Sequence, residues 1–258
     1  MQWTKAADYE AMSRHGAERI FRNVSQCLAE KGQCNLGLAT GNTMLRLYEL
    51  LAERFNAAGT DLGGLRTFNL DEYVAADGRE VPESHPLSYR AYMRKNLFDR
   101  LAPERGFQLA AAFYPPAVAP SSYDAQIAGF GGLDLQLLGI GFNGHIAFNE
   151  PMADTEIGAD GYAALPSRIL DLTPLTIATN ARLTAGNDAA LMPRQAVTMG
   201  LQPILAAAEI LLLACFAEQT EPLRRLRQGR VTPELPASYL LRHRQVEIVY
   251  TADKIDLA

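Results

Sequence analysis

The stretch LDLQLLGIGFNGHIAFNEP, residues 133–151, decides the fold. Its first part, Leu133 to Ile140, is a nearly continuous apolar run. A strand wetted on one face alternates apolar and polar residues, whereas an uninterrupted run of this length suits a strand covered on both faces, as in a parallel sheet between helical layers. The run stops in the glycine-rich turn Gly141-Phe142-Asn143-Gly144, and a histidine and a carboxylate follow, His145 and Glu150. Polar residues at the carboxyl end of a buried parallel strand are where such sheets keep their ligand sites.

The same design repeats to either side. Residues 8–30 have helical spacing, with Gly32 as a stop, and Leu36 to Ala39 is a short apolar strand. That strand runs through Thr40-Gly41-Asn42-Thr43 into a helical pattern from Met44 to Phe55. Thr67 to Leu70 reads as a strand ending at Asp71-Glu72-Tyr73, and Pro86 to Leu101 as a helix starting near Ser84 or His85. Further on, Leu175 to Thr179 reads as a strand, Ala196 to Ala208 as a helix, Glu209 to Cys215 as a buried strand, Glu221 to Gln228 as a helix and Val246 to Thr251 as a closing strand. Strands alternating with helices predict a single α/β domain over 1–258, a mostly parallel, Rossmann-like twisted sheet with helices on both faces. Residues 152–170 are the least regular, and a mobile cover is expected within 152–190.

Composition narrows the function. Of 258 residues, 48% are hydrophobic and 21% charged, with a net charge of −5 and no long basic run. This is a soluble enzyme's balance without a nucleic-acid footprint. The longest apolar run, Ile210 to Phe216, is too short to span a membrane, and the polar start MQWTKAADYE is neither a signal nor a transit peptide. A cytoplasmic location is expected. Cys27, Cys34 and Cys215 fit reduced thiols, and His15, His85, His145 and His243 lack metal-ligand spacing, so no metal site is expected.

Three strand ends carry chemistry. At Thr40–Thr43, backbone N–H groups and two hydroxyls at a helix start can hold an anion, although an ordinary strand-to-helix turn reads the same way. Asp71, just past a strand, can abstract a proton next to a carbonyl, or form a solvated acidic turn with Glu72. In 139–151 the glycines, Gly141 among them, leave backbone amides accessible, and Glu150 can orient or charge His145, with Asn143 nearby. Arg182, following the predicted strand at 175–179, can clamp a phosphate or stand on the surface.

The segments LGLATGNT, FNLDEY, SHPLSY, SRILDLT, AVTMGLQPIL, ELPASYLLRH and above all LGIGFNGHIAFNEP resemble the glucosamine-6-phosphate deaminases, from about residue 35 to the C-terminus. The resemblance implies conversion of an aminosugar 6-phosphate and water to a ketose 6-phosphate and ammonia without a cofactor. It implies Asp71 as the base that moves the C2 proton to C1, His145 as the acid–base of ring opening, Glu150 as its partner, and 40–43 with Arg182 as phosphate contacts. Galactosamine 6-phosphate remains an alternative substrate; a lactonase-type hydrolase and a sugar-phosphate sensor are more distant ones. The partner implied is a small sugar phosphate, and self-association stays open, since relatives include monomers and hexamers.

Three positions depart from the pattern. Asn143 stands where the best-known members have Asp, with the amide expected to hydrogen-bond the histidine. Phe216 and Gln219 stand where a Gly and a phosphate-binding Lys are expected, with Arg224 or Arg225 as candidate replacements. Leu170 stands where the effector pocket of enterobacterial relatives has a Lys, although Arg168 matches an arginine of that pocket.

Overall fold

The computed structural model describes residues 1–257. The chain begins with β1 (Gln2–Ala6), α1 (Tyr9–Lys31), β2 (Cys34–Leu38), α2 (Leu45–Ala58), β3 (Leu65–Asn69) and β4 (Asp71–Val74). Its middle holds α3 (Tyr89–Asn96), β5 (Ala112–Phe113), α4 (Ser121–Gly129), β6 (Leu135–Leu138), α5 (Ala159–Ala163) and β7 (Arg168–Asp171). Then come α6 (Pro174–Thr184), β8 (Gln195–Thr198), α7 (Leu201–Leu205), β9 (Ile210–Ala214), α8 (Thr220–Arg227) and β10 (Val246–Thr251). Among the described residues no helix is long and apolar enough to cross a membrane.

Seven strands form one parallel sheet in the order β1-β10-β9-β6-β2-β3-β5. From β2 the chain winds one way, to β3 and β5; from β6 it winds the other, to β9 and β10, with the N-terminal β1 completing that edge. The winding therefore reverses between β2 and β6, and a crevice opens at the carboxyl ends of those two strands. Their close pairing depends on Gly37: a Cβ there would stand 2.0 Å from Oε1 of Gln136, its register partner. Helix α1 ends at Gly32 as expected, and its start is held by a cap that the spacing did not announce. Asp8 accepts the Ala11 N–H at 2.8 Å, and Gly32 ends the helix at φ 68°.

A second, antiparallel sheet of order β4-β8-β7 lies beside the first. It was not anticipated, and it accounts for most of the local misreadings. The helix expected over 196–208 is instead strand β8 followed by the short α7. Val197 is buried between β4 and β7, and Gly200 breaks the chain where a Cβ would meet the Leu165 carbonyl at 2.2 Å. Part of the irregular 152–170 segment is ordered as α5 and β7. The strand expected at 175–179 is the helix α6. Thr173 accepts the Thr176 N–H at 3.2 Å, and Pro174 occupies the first turn, a start signal that outweighs the β-branched residues following it. The helix expected over 86–101 is shorter. It begins at its N-cap Ser88, which accepts from Ala91 N, and breaks at Leu97 into a 3₁₀ turn.

Candidate active site

A cavity of about 490 Å³ fills the crevice between the β2 and β6 ends. Asp71, His145 and the loop 40–43 all line it. The sequence separates these groups widely; the winding reversal collects them.

Asp71 opens β4, opposite Thr198 of β8 in register. The Thr198 hydroxyl donates to Asp71 Oδ1 at 2.5 Å and accepts the Phe148 N–H at 3.0 Å. Burial pushes the Asp71 carboxyl up to about 7, against the opposing pull of the Thr198 hydroxyl, the His145 ring and the Phe148 N–H. Its neighbour Glu72 has a different task. Glu72 is buried and accepts the N–H groups of Tyr73, Tyr89 and Arg90 and the Ser88 hydroxyl, which fastens the start of α3. It is not the solvated turn residue that the pair Asp71-Glu72 suggests on paper.

The loop after β6 folds back on itself. Gly141 N–H donates to the His145 carbonyl at 2.9 Å, so this amide is not open to a ligand as expected. The residue is glycine for a steric reason: a Cβ would fall 2.4 Å from the imidazole. His145 Nδ1 lies 3.4 Å from Glu150 Oε2 and has no hydrogen-bond partner, so the pair is an electrostatic contact rather than a formed hydrogen bond. Asn143 holds the arrangement together. Its amide donates to Glu150 Oε2 at 2.7 Å, and its oxygen accepts the His145 backbone N–H at 3.2 Å. The amide therefore hydrogen-bonds the histidine through its backbone N–H and steadies the carboxylate as well. Thr176 of α6 donates to the other Glu150 oxygen at 2.5 Å. Burial raises the Glu150 carboxyl, but the His145 ring, the Thr176 hydroxyl and the Asn143 amide outweigh it and leave the group at about 2. Glu150 is thus a fixed anion, and Asp71 a carboxyl poised near neutrality.

At the β2 end, Gly41 adopts φ 108°, a conformation suited to glycine. Tyr92 donates to its carbonyl at 2.7 Å, Asn42 donates to the Leu183 carbonyl at 3.1 Å, and the Thr43 hydroxyl lies 3.6 Å from Cys215 Sγ. Thr40, Gly41, Asn42 and Thr43 all face the cavity.

Arg182 does not line the cavity. Because 174–184 is helical, Arg182 sits in the last turn of α6, half exposed, with Nη2 3.1 Å from Glu218 Oε1. Leu183 and Thr184 occupy the wall instead. Gln219 is buried and committed to backbone. Its oxygen accepts the N–H groups of Cys215 and Phe216, each at 2.8 Å, and its nitrogen donates to the Ile140 carbonyl at 2.7 Å, tying the β9 end to the β6 end. Neither Arg224 nor Arg225 reaches the cavity; Arg224 lies 3.9 Å from Asp256 and Arg225 donates to the Glu234 carbonyl. Among the described residues the one His/Cys/Asp/Glu cluster compact enough for a metal, Cys27, Cys34 and Asp134, lies outside the cavity lining.

Thr198 and Thr176 escaped the reading of the chain. Each is an ordinary threonine in an ordinary context, and its role exists only through a carboxylate 127 or 26 residues away.

Residues 7–153 match the family model of glucosamine-6-phosphate isomerases/6-phosphogluconolactonase. The chain belongs to this family. Two relatives, both glucosamine-6-phosphate deaminases, are similar over nearly their whole length. That of Rhodopirellula baltica is 41% identical, covering 94% of this chain and 90% of its own. That of Geobacillus sp. strain WCH70 is 38% identical, covering 100% and 96%. A solved monomeric glucosamine-6-phosphate deaminase superposes with a TM-score of 0.87 at 29% identity, covering 100% of both chains. The 6-phosphogluconolactonase of Trypanosoma brucei, at TM-score 0.70 and 18% identity over 97% and 95% of the two chains, shares the fold. Within the family this chain thus resembles the deaminases more closely.

Proposed function

We propose that the chain is an aminosugar-6-phosphate deaminase, converting glucosamine 6-phosphate and water to fructose 6-phosphate and ammonia. One observation carries the reading: a buried carboxyl pushed to about 7, Asp71, shares a cavity with His145, whose Nδ1 faces the Glu150 carboxylate behind the cavity lining. A base that removes a proton next to a carbonyl works best with a pKa near the working pH. A lactonase has no need of one, because water attack at an ester carbonyl moves no carbon-bound proton.

In this reading His145 passes a proton from the anomeric hydroxyl to the ring oxygen, opening the pyranose to an aldehyde. Glu150, ionised at all working pH values, keeps a fixed negative charge facing the ring during that transfer. Asp71 then takes the C2 proton and returns it at C1, which converts the amino aldehyde through an enolamine to a C2 imine. Water adds to the imine and ammonia leaves. Asn143, Thr176 and Thr198 are positioning residues; Thr40 to Thr43 face the phosphate end.

The reading also treats residues 1–258 as one catalytic unit with 152–190 as its cover. Support comes from α6, which lends Thr176, Thr179 and Asn180 to the cavity wall while Leu175 stays 52% exposed. A sugar phosphate does not cross a bilayer unaided, so the reaction belongs in the cytoplasm. The test is ammonia release from glucosamine 6-phosphate, with deuterium placed at C2 of the substrate lost from C2 and carried, apart from what exchanges with water on Asp71, to C1 of the product. No ammonia from either glucosamine or galactosamine 6-phosphate would end the reading.

A further inference from the structure

We infer that Lys95 supplies the positive charge that holds the substrate's phosphate, an inference that rests on the reading above. A phosphate ester is close to dianionic at neutral pH, and a cleft that draws it out of water needs a cation as well as backbone donors. Among the described residues Lys95 is the one lysine or arginine that lines the cavity. The only other lining group able to carry positive charge is His145, which faces Glu150. Arg182 lies outside the lining, paired with Glu218 and with its guanidinium 5.9 Å from the Phe142 ring, and Gln219 spends its amide on three backbone groups.

The surroundings of Lys95 point the same way. Neighbouring arginines are engaged: Arg94 with Glu83 and Asp99, Arg100 with Glu49, and Arg90 over the Tyr114 ring. Lys95 forms no ion pair among the described residues, although Arg94 next to it in the chain forms two. Tyr92 and Lys95 are three residues apart and share one face of α3. The Tyr92 hydroxyl donates to the Gly41 carbonyl, so that face abuts the loop 40–43. A flexible four-carbon stem lets the ammonium reach a phosphate seated on that loop. The phosphate then lies between the loop and α3, and the sugar carbons extend toward Asp71 and His145.

The test is Lys95→Gln with Lys95→Arg beside it, in the full chain. For Lys95→Gln, KM for glucosamine 6-phosphate should rise roughly tenfold with kcat held within about threefold, the signature of lost uniform binding. Inorganic phosphate should weaken as a competitive inhibitor in parallel, turnover of unphosphorylated glucosamine should not change, and Lys95→Arg should recover most of the affinity. An unchanged KM, or a loss confined to kcat, overturns the inference. Calorimetric binding of inorganic phosphate provides an arm without turnover. Binding by the wild-type protein that is lost in Lys95→Gln supports Lys95 even if no ammonia is ever released, in which case only the deaminase reading falls. Equal phosphate binding by both proteins, or none by the wild type, overturns it.

Discussion

Replacing Asp71 by Asn should abolish turnover and stabilise the protein, and the stabilisation should depend on pH. Asp71 is 7% exposed, and its carboxyl is pushed from 3.8 up to about 7, first by burial. The folded chain therefore binds this proton more tightly than the unfolded chain does. The associated stability is whole below pH 3.8 and is lost as pH rises through about 7. At roughly 1.4 kcal/mol per unit, the ionised carboxylate costs the wild type about 2 kcal/mol at about pH 5 and about 4 kcal/mol above about pH 8. Asparagine has nearly the same shape, still accepts from the Thr198 hydroxyl and never ionises, so the variant escapes that cost. Urea denaturation of both proteins at the two pH values is the assay. The gain should be about 2–3 kcal/mol larger at the alkaline pH, which for a chain of this size corresponds to a rise in Tm of several degrees. The kcat of the variant should fall by roughly 10²–10⁴, the usual worth of a positioned base. An equal stability change at both pH values would show that Asp71 carries no buried charge; full activity would remove it from proton transfer.

Thr198→Val removes a hydroxyl that favours ionised Asp71, so the acidic limb of the kcat/KM profile should move up by about one to two units, the worth of one hydrogen bond to a charged group; a uniform drop with an unmoved limb would contradict this. Gly141→Ala sets a methyl 2.4 Å from the His145 ring and should cut kcat by roughly tenfold or more at little cost in stability, as read by kinetics alongside thermal melting. Gln219→Leu strips three backbone groups of their partners and should destabilise by about 2–4 kcal/mol in urea titrations. With Leu170 in place of the expected effector-site lysine, N-acetylglucosamine 6-phosphate should leave the saturation curve unchanged; a curve that sharpens from sigmoidal to hyperbolic would refute it.

Much of the architecture was legible in the chain because its signals are local. The apolar run before Gly141, the Gly32 stop and the closing strand at 246–251 each depend on neighbours a few residues away. The same holds for the three strand ends that carry Thr40 to Thr43, Asp71 and His145. The antiparallel sheet was not legible, since Asp71–Val74 and Gln195–Thr198 become strands by pairing across a separation that reaches 127 residues at Asp71 and Thr198. Helix α6 was legible in principle: Thr173-Pro174 announces it, and the β-branched residues behind concealed it.

By itself the sequence determined the alternation of buried strands and helices, the motif carrying His145 and Glu150, and the kind of substrate those groups suit. The tertiary structure decided which groups meet and in what electrical state. It buried Asp71 against Thr198 so that its carboxyl titrates near neutrality, paired Arg182 with Glu218, spent Gln219 on backbone and left Lys95 as the cation facing the cavity. Those outcomes depend on desolvation and on partners distant in the chain, and neither is encoded in any short stretch of residues.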